Sequence, residues 1–254
     1  MRKIFSLLIM LLITTSLPAQ GIGGKAGIGG NAGIGGGAPA APPTFGQAPT
    51  PCTGGSGGGP TAITCVISGS VTAGQFIVYE SDMGASSGTM TVSDNCGGTY
   101  ITDVGPTIVS FNNVQAGHST GSSGSCTVSV LCSLTFTQCT ITIATMSGAS
   151  AFDVGAALNT QSSPGTGANA VTSNAVTTNF RDLCFGYTIE GAGAGSGTIT
   201  AGTTIAWTLG ASSSAAFNAG IEYFTQAGAG SITATFTDTT AGSTRYTTGV
   251  SCFH

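Results

Sequence analysis

The sequence predicts an all-β chain: an antiparallel β-sandwich behind a signal peptide and a glycine-rich tether. Three observations predict it. From residue 60 onward, short segments alternate apolar and hydroxylic residues with a period of two, the pattern of strands that bury one face. Clusters of Gly, Ser, Asn and Asp separate these segments, and no segment keeps a 3.6-residue apolar period over three turns. Only 6% of the 254 residues are charged, which fits either a membrane protein or an extracellular one with a Ser/Thr/Asn surface. A spanning helix needs about 18 or more apolar residues, and a membrane barrel needs recurring aromatic girdles. Neither follows the N-terminus, so the extracellular reading stands.

The N-terminus reads as an address. Arg2 and Lys3 precede the apolar run 4–13, and Leu17-Pro18-Ala19 is a tolerable cleavage site, so residues 1–19 are expected to be a signal peptide. Residues 20–59 are expected to be a tether. They open with three hexads, GIGGKA, GIGGNA and GIGGGA, in which one isoleucine per hexad cannot build a core and glycine makes ordering costly. A passive spacer is one reading and a self-associating segment the other. The G-x-S-x-G match at 54–58 lacks the strand and helix that the motif requires.

Residues 60–254 are expected to hold the sandwich. The chain is organised around 126–146, CTVSVLCSLTFTQCTITIATM, which reads as two strands. Cys126, Val128, Val130 and Cys132 share one face of the first; Cys139, Ile141 and Ile143 share one face of the second. Three strand segments precede this pair, at 62–68, 75–81 and 88–94, with a long loop between 94 and 126. Six follow it, at 152–159, 182–189, 203–209, 217–225, 231–238 and 244–253. Ten or more strands with turns between them suggest a sandwich or barrel.

Eight cysteines behind a signal peptide favour disulfides. A hairpin closing over 133–138 would set Cys132 opposite Cys139, the first expected bridge. Cys65 and Cys252 could join the chain ends, or Cys52 could reach Cys65. Zinc lacks its ligands, since there is no C-x-x-C and the histidines are His118 and His254. Arg181 and Arg245 are the only bases after residue 60, against nine acids, leaving −7. No basic face for nucleic acid can be built from them.

Two segments then carry a resemblance: VTAGQFIV at 71–78 and TVSDNCGGTY at 91–100, followed in order by SAFD at 150–153, DLCFG at 182–186 and GIEY at 220–223. Together these resemble the jelly-roll, concanavalin A-like sandwich domain of secreted bacterial and phage tail-associated proteins, over about 63–253. The resemblance implies binding to glycans or cell surfaces. Cys96 and Gly98 depart from the usual small residue and Asn of the turn.

The candidate chemistry is sparse. Glu80-Ser-Asp82 begins like the strand of sandwich glucanases, but the third acid would fall on Ala85, and retaining hydrolysis needs two carboxyls about 5–5.5 Å apart. Asp94 and Asn95, with Asp103, are candidate calcium ligands, against an Asx-stabilised turn. Trp207, Tyr100 and Tyr223 are candidate sugar platforms, although Ile205, Trp207 and Leu209 alternate together as a core face would. Tyr187 and Tyr246 read the same way. Glu222 lies mid-strand and needs a partner, with Arg181 or Arg245 available. His118 reads as a solvent-exposed loop residue. The function expected is a secreted, non-catalytic module binding carbohydrate or a cell surface. The alternatives are a structural component of an extracellular fibre, with self-association, and a polysaccharide hydrolase with an atypical site.

Overall fold

The computed structural model describes residues 41–49, 51–54, 61–85, 87–109, 112–134, 139–156, 158–162, 169–190, 198–202, 207–214, 218–239 and 245–254. The expected signal peptide and the hexads lie outside the described residues. Among the described residues all regular structure is β-strand, in antiparallel sheets.

The first half of the fold holds β1 (Thr44–Phe45), β2 (Cys52–Gly54), β3 (Thr61–Val66), β4 (Phe76–Met83), β5 (Met90–Asp94), β6 (Thr99–Val109), β7 (Asn112–Thr120), β8 (Thr127–Cys132) and β9 (Cys139–Ser147). They make an inner sheet, β1-β9-β4-β7-β6 with β2 also on β9, and an outer sheet, β3-β8-β5. The second half holds β10 (Phe152–Gly155), β11 (Asn159–Ser162), β12 (Asn169–Thr172), β13 (Val176–Thr178), β14 (Leu183–Glu190), β15 (Ile199–Ala201), β16 (Thr208–Ser214), β17 (Asn218–Thr225), β18 (Gly230–Ile232), β19 (Thr235–Asp238) and β20 (Arg245–Phe253). Its inner sheet is β10-β20-β14-β17-β16 with β11 on β20, and its outer layer is β12-β19-β15 together with β13-β18.

The two halves are wound alike. Position for position, β9-β4-β7-β6 corresponds to β20-β14-β17-β16, and β3-β8-β5 to β12-β19-β15. A trace of this repeat survives in the sequence: GASSGTMTV at 84–92 and GAGSGTITA at 193–201 agree at six of nine positions. The single sandwich expected over 60–254 is therefore two sandwiches back to back.

Side-chain alternation explains the stacking. Ile77, Tyr79, Ile141 and Ile143 of the first inner sheet meet Cys65, Val128 and Val130 of its outer sheet. Cys184, Val250 and Trp207 meet Ile232 and Phe236 in the second half. The alternate residues Phe76, Val78, Ala144 and Met146 meet Leu183, Phe185, Ile221 and Phe253, so the inner sheets are covered on both faces. That double burial hides β7 from a period-two pattern, whereas β6 is an edge strand whose residues are mostly exposed or half-buried. The segment expected as a loop between 94 and 126 contains β6 and β7, and β7 (NNVQAGHST) is buried along almost its whole length. A strand covered on both sides does not alternate. Its two amide nitrogens are bonded internally: Asn113 Nδ2 donates to Gly88 O at 3.0 Å and Gln115 Nε2 to Met90 O at 3.3 Å.

The tether ends earlier than residue 59. β1 and β2 pair with β9, and Phe45 stacks on Tyr223 at 3.9 Å, so Thr44–Phe45 and Cys52–Gly54 belong to the fold. All eight cysteines are bridged, as Cys52–Cys65, Cys96–Cys126, Cys132–Cys139 and Cys184–Cys252. The Cys132–Cys139 bridge exists, but not across a hairpin. β8 and β9 lie in different sheets, and the bridge joins the sheets. The pairing of Cys65 with Cys252 is not found. These residues lie in the cores of different halves, and Cys252 faces Cys184 directly across the β14–β20 ladder, with Cα atoms 4.0 Å apart.

Candidate functional site

The turn after β5 places most of the expected ligands. Asp94 ends the strand, and the chain reverses through Gly97, whose φ of 88° is a glycine conformation. Asp94 Oδ1 accepts from the N–H groups of Cys96 and Gly98, both at 2.9 Å. Its Oδ2 accepts from Ser122 Oγ at 2.7 Å and Tyr100 Oη at 3.0 Å. A Cβ at residue 98 would run into both Ser122 Oγ and Asp94 Oδ2, which accounts for Gly98. Burial pushes the Asp94 carboxyl up, but the hydrogen bonds from Gly98, Ser122, Cys96 and Tyr100 outweigh it and hold the group below its ordinary value. Asn95 Oδ1 accepts from Thr127 N at 2.8 Å, and Asp103 Oδ2 pairs with His118 Nδ1 at 2.7 Å. The three expected calcium ligands thus serve three separate structural contacts, and the Asx-turn reading describes Asp94. Two groupings of Asp with Cys, Asp94/Cys96/Cys126 and Asp182/Cys184/Cys252, contain only disulfide sulfur and offer no thiolate.

The aromatic candidates are turned inward. Trp207 is 6% exposed, packs in the second core and donates Nε1–H to Thr233 O at 3.2 Å. Tyr223 is covered by Phe45 in a stack 4° from parallel. Tyr100 packs on the first core, tilted against Tyr79 at 5.7 Å. Tyr187 and Tyr246 are buried. These rings do not form an open platform. His118 is likewise no loop residue: it is buried on β7, stacked on Phe76 at 5.3 Å and set edge-on to Phe253 at 5.5 Å.

None of the nine acids is exposed. Glu80, Asp82, Asp182, Glu190, Glu222 and Asp238 are buried, and Asp94, Asp103 and Asp153 are half-buried. Glu222, expected to pair with an arginine, accepts instead from the backbone N–H groups of Gly202 at 3.1 Å and Thr235 at 3.0 Å, tying β17 to the outer layer. Tyr246 Oη donates to Asp238. Burial raises Glu222 to about 8. Burial, then the charge of Asp238, raises Glu190 to about 7. Burial, then the hydrogen bond and charge of Asp153, raises Asp182 to about 7. Several acids therefore hold protons near neutrality, and among the described residues with defined side-chain exposure Arg181 is the one exposed formal charge.

Glu80 and Asp82 occupy a distinct place. Phe76 and Val78 precede them on the same β4 face, so both carboxyls point into the layer between the two inner sheets. Glu80 is 1% exposed and Asp82 0%, and no open carboxylate pair for a sugar chain exists here. Burial first, then the charge of Asp82, raises Glu80 well above its ordinary value, with the Thr142 hydroxyl acting the other way.

The outer sheet faces present hydroxyl and aliphatic side chains. On the outer face of β3-β8-β5, Thr64, Ser129 and Ser93 lie in one cross-strand row, and Ala62, Leu131 and Thr91 in the next. Val66 and Leu131 are 64% and 43% exposed there. On the opposite outer layer Ala170, Thr237 and Thr200 make a similar row. No family model, curated protein or solved structure matches this chain.

Proposed function

We propose that the protein is a non-catalytic module of an extracellular assembly, which packs against further copies through its uncharged outer sheet faces. The observation that carries this reading is that six of the nine acids are buried and the other three half-buried. Net surface charge keeps proteins apart in solution, and its loss favours association. A face of Thr, Ser and scattered aliphatic residues offers hydrogen bonding and apolar contact together, with no charge to desolvate. The four disulfides and the absence of a helix long and apolar enough to cross a membrane among the described residues are compatible with export. The jelly-roll reading has support in the winding. In each half the first and last strands are neighbours, β1 with β9 and β10 with β20, and from β3 to β9 the strands alternate between sheets except at β6 and β7.

Light scattering and electron microscopy across a concentration series test the proposal. Oligomers or fibres that persist in high salt are expected, because no surface ion pairs hold them. Leu131→Glu should return the protein to monomers. A monomer at every concentration removes the reading. Binding to a neutral polysaccharide is the second reading, supported by the hydroxyl row Thr64–Ser129–Ser93. A glycan array without a hit, with and without calcium, ends it.

A further inference from the structure

The layer between the inner sheets contains polar oxygens that the fold itself does not require. Glu80 faces Thr142 and Asp82 faces Thr140 across the β4–β9 ladder. Neighbouring strands lie about 4.8 Å apart and alternate residues about 7 Å apart, so the four side chains outline one small patch. All four residues are at most 1% exposed. No hydrogen bond of ordinary geometry reaches either oxygen of Glu80, nor the hydroxyls of Thr140 and Thr142. Buried polar atoms in that condition imply an ordered water or an ion.

The other half provides an internal control. Matching the β4–β9 ladder to the β14–β20 ladder end to end puts Tyr187 at the position of Glu80 and Ile189 at that of Asp82. Gly249 and Thr247 stand where Thr142 and Thr140 do. The same winding therefore forms with Tyr and Ile at these sites, and two adjacent carboxylates are not a demand of the topology.

We propose that Glu80, Asp82, Thr140 and Thr142 bind one calcium ion between the two sandwiches. The donor set is all oxygen, which selects a hard cation, and two carboxylates balance a charge of two. Magnesium, which keeps most of its waters in a rigid octahedron, is poorly served by a water-poor site. The ion bridges adjacent strands exactly where the second sandwich covers them, so it secures the junction of the halves.

Equilibrium dialysis of the full chain against radioactive calcium tests this. One ion per chain is expected, with a melting temperature several degrees higher in calcium than in EGTA and no such gain from magnesium. Glu80→Gln should weaken calcium binding at least tenfold, and Asp94→Asn should leave it unchanged. If Glu80→Gln does not fold, Thr142→Val, which removes one neutral donor, should still weaken binding severalfold. No calcium retained by the wild type, or equal binding by Glu80→Gln, overturns the proposal and leaves the patch to water.

Discussion

The first half closes its core with three disulfides and the second with one. Cys52–Cys65 and Cys132–Cys139 join inner to outer sheet, and Cys96–Cys126 ties the turn before β6 to the start of β8. Cys184–Cys252 joins two strands that are already hydrogen-bonded neighbours. The second core relies on bulk instead. Trp207 and Phe236, with Phe224 against them, fill the space that Tyr79, with Tyr100 against it, and Val, Ile, Met and half-cystines fill in the first. The aromatics correspond. Register places Trp207 at the position of Tyr100, and each ring closes one end of its own core. A size exchange recurs between the central strands. In the first half Tyr79 of β4 lies over Gly117 of β7; in the second, Glu222 of β17 lies over Gly186 of β14. A Cβ on either glycine would press on that neighbour. The difference teaches that the winding does not depend on the bridges. Connectivity and alternation set it, and each core is then secured by what its sequence supplies.

The largest effect should come from reduction. By loop length the three bridges of the first half contribute about 2.9, 3.6 and 2.5 kcal/mol through the unfolded chain, against about 4.4 for the single bridge of the second. Hydrogen exchange after reduction should show 61–147 losing protection before 169–253. Simultaneous loss would break the comparison and make the molecule one cooperative unit. Core truncation should act the other way. Trp207→Ala is expected to cost about 3–5 kcal/mol and Tyr100→Ala, being half-buried, about half of that, measured by urea unfolding. Equal costs would deny that the second half relies on bulk.

A smaller separation is expected from pH. Asp182, Glu190 and Glu222 are raised to about 7, 7 and 8, above their unfolded values. Their contribution is full below the ordinary carboxylate range and is lost as pH rises through the values in the fold. Asp94 is lowered, so its contribution holds above the unfolded value and is lost as pH falls through the folded one. Protection in the second half should therefore decline between pH 5 and pH 9 while the Asp94 turn stays intact. Glu222→Gln should flatten that decline. A second half whose stability is indifferent to alkali would show that these acids are ionised in the fold.

Much of the architecture was legible in the residues. Half-buried strands such as β8, whose Val128 and Val130 alternate with Thr127 and Ser129, declare themselves by period. The Cys132–Cys139 bridge followed from spacing alone, although its strands proved to belong to different sheets. The repeat was also present, in GASSGTMTV and GAGSGTITA, but glycine- and serine-rich segments look alike by chance and hid it. The site was far less legible. Asp94 sits in a turn, where a carboxylate looks available, and only the fold brings Ser122 and Tyr100 onto it.

The sequence by itself determined that the chain is β throughout and that its strands are antiparallel layers with Ser/Thr outside. Those properties follow from local alternation and turn residues, which need no distant partner. The tertiary structure decided that there are two sandwiches, that their backs meet, and that the acids lie inside. A strand's second face is polar or apolar according to what covers it, and that cover comes from residues a hundred positions away. Glu80 begins like the strand of a sandwich glucanase in the sequence, and only the fold buries it between the inner sheets.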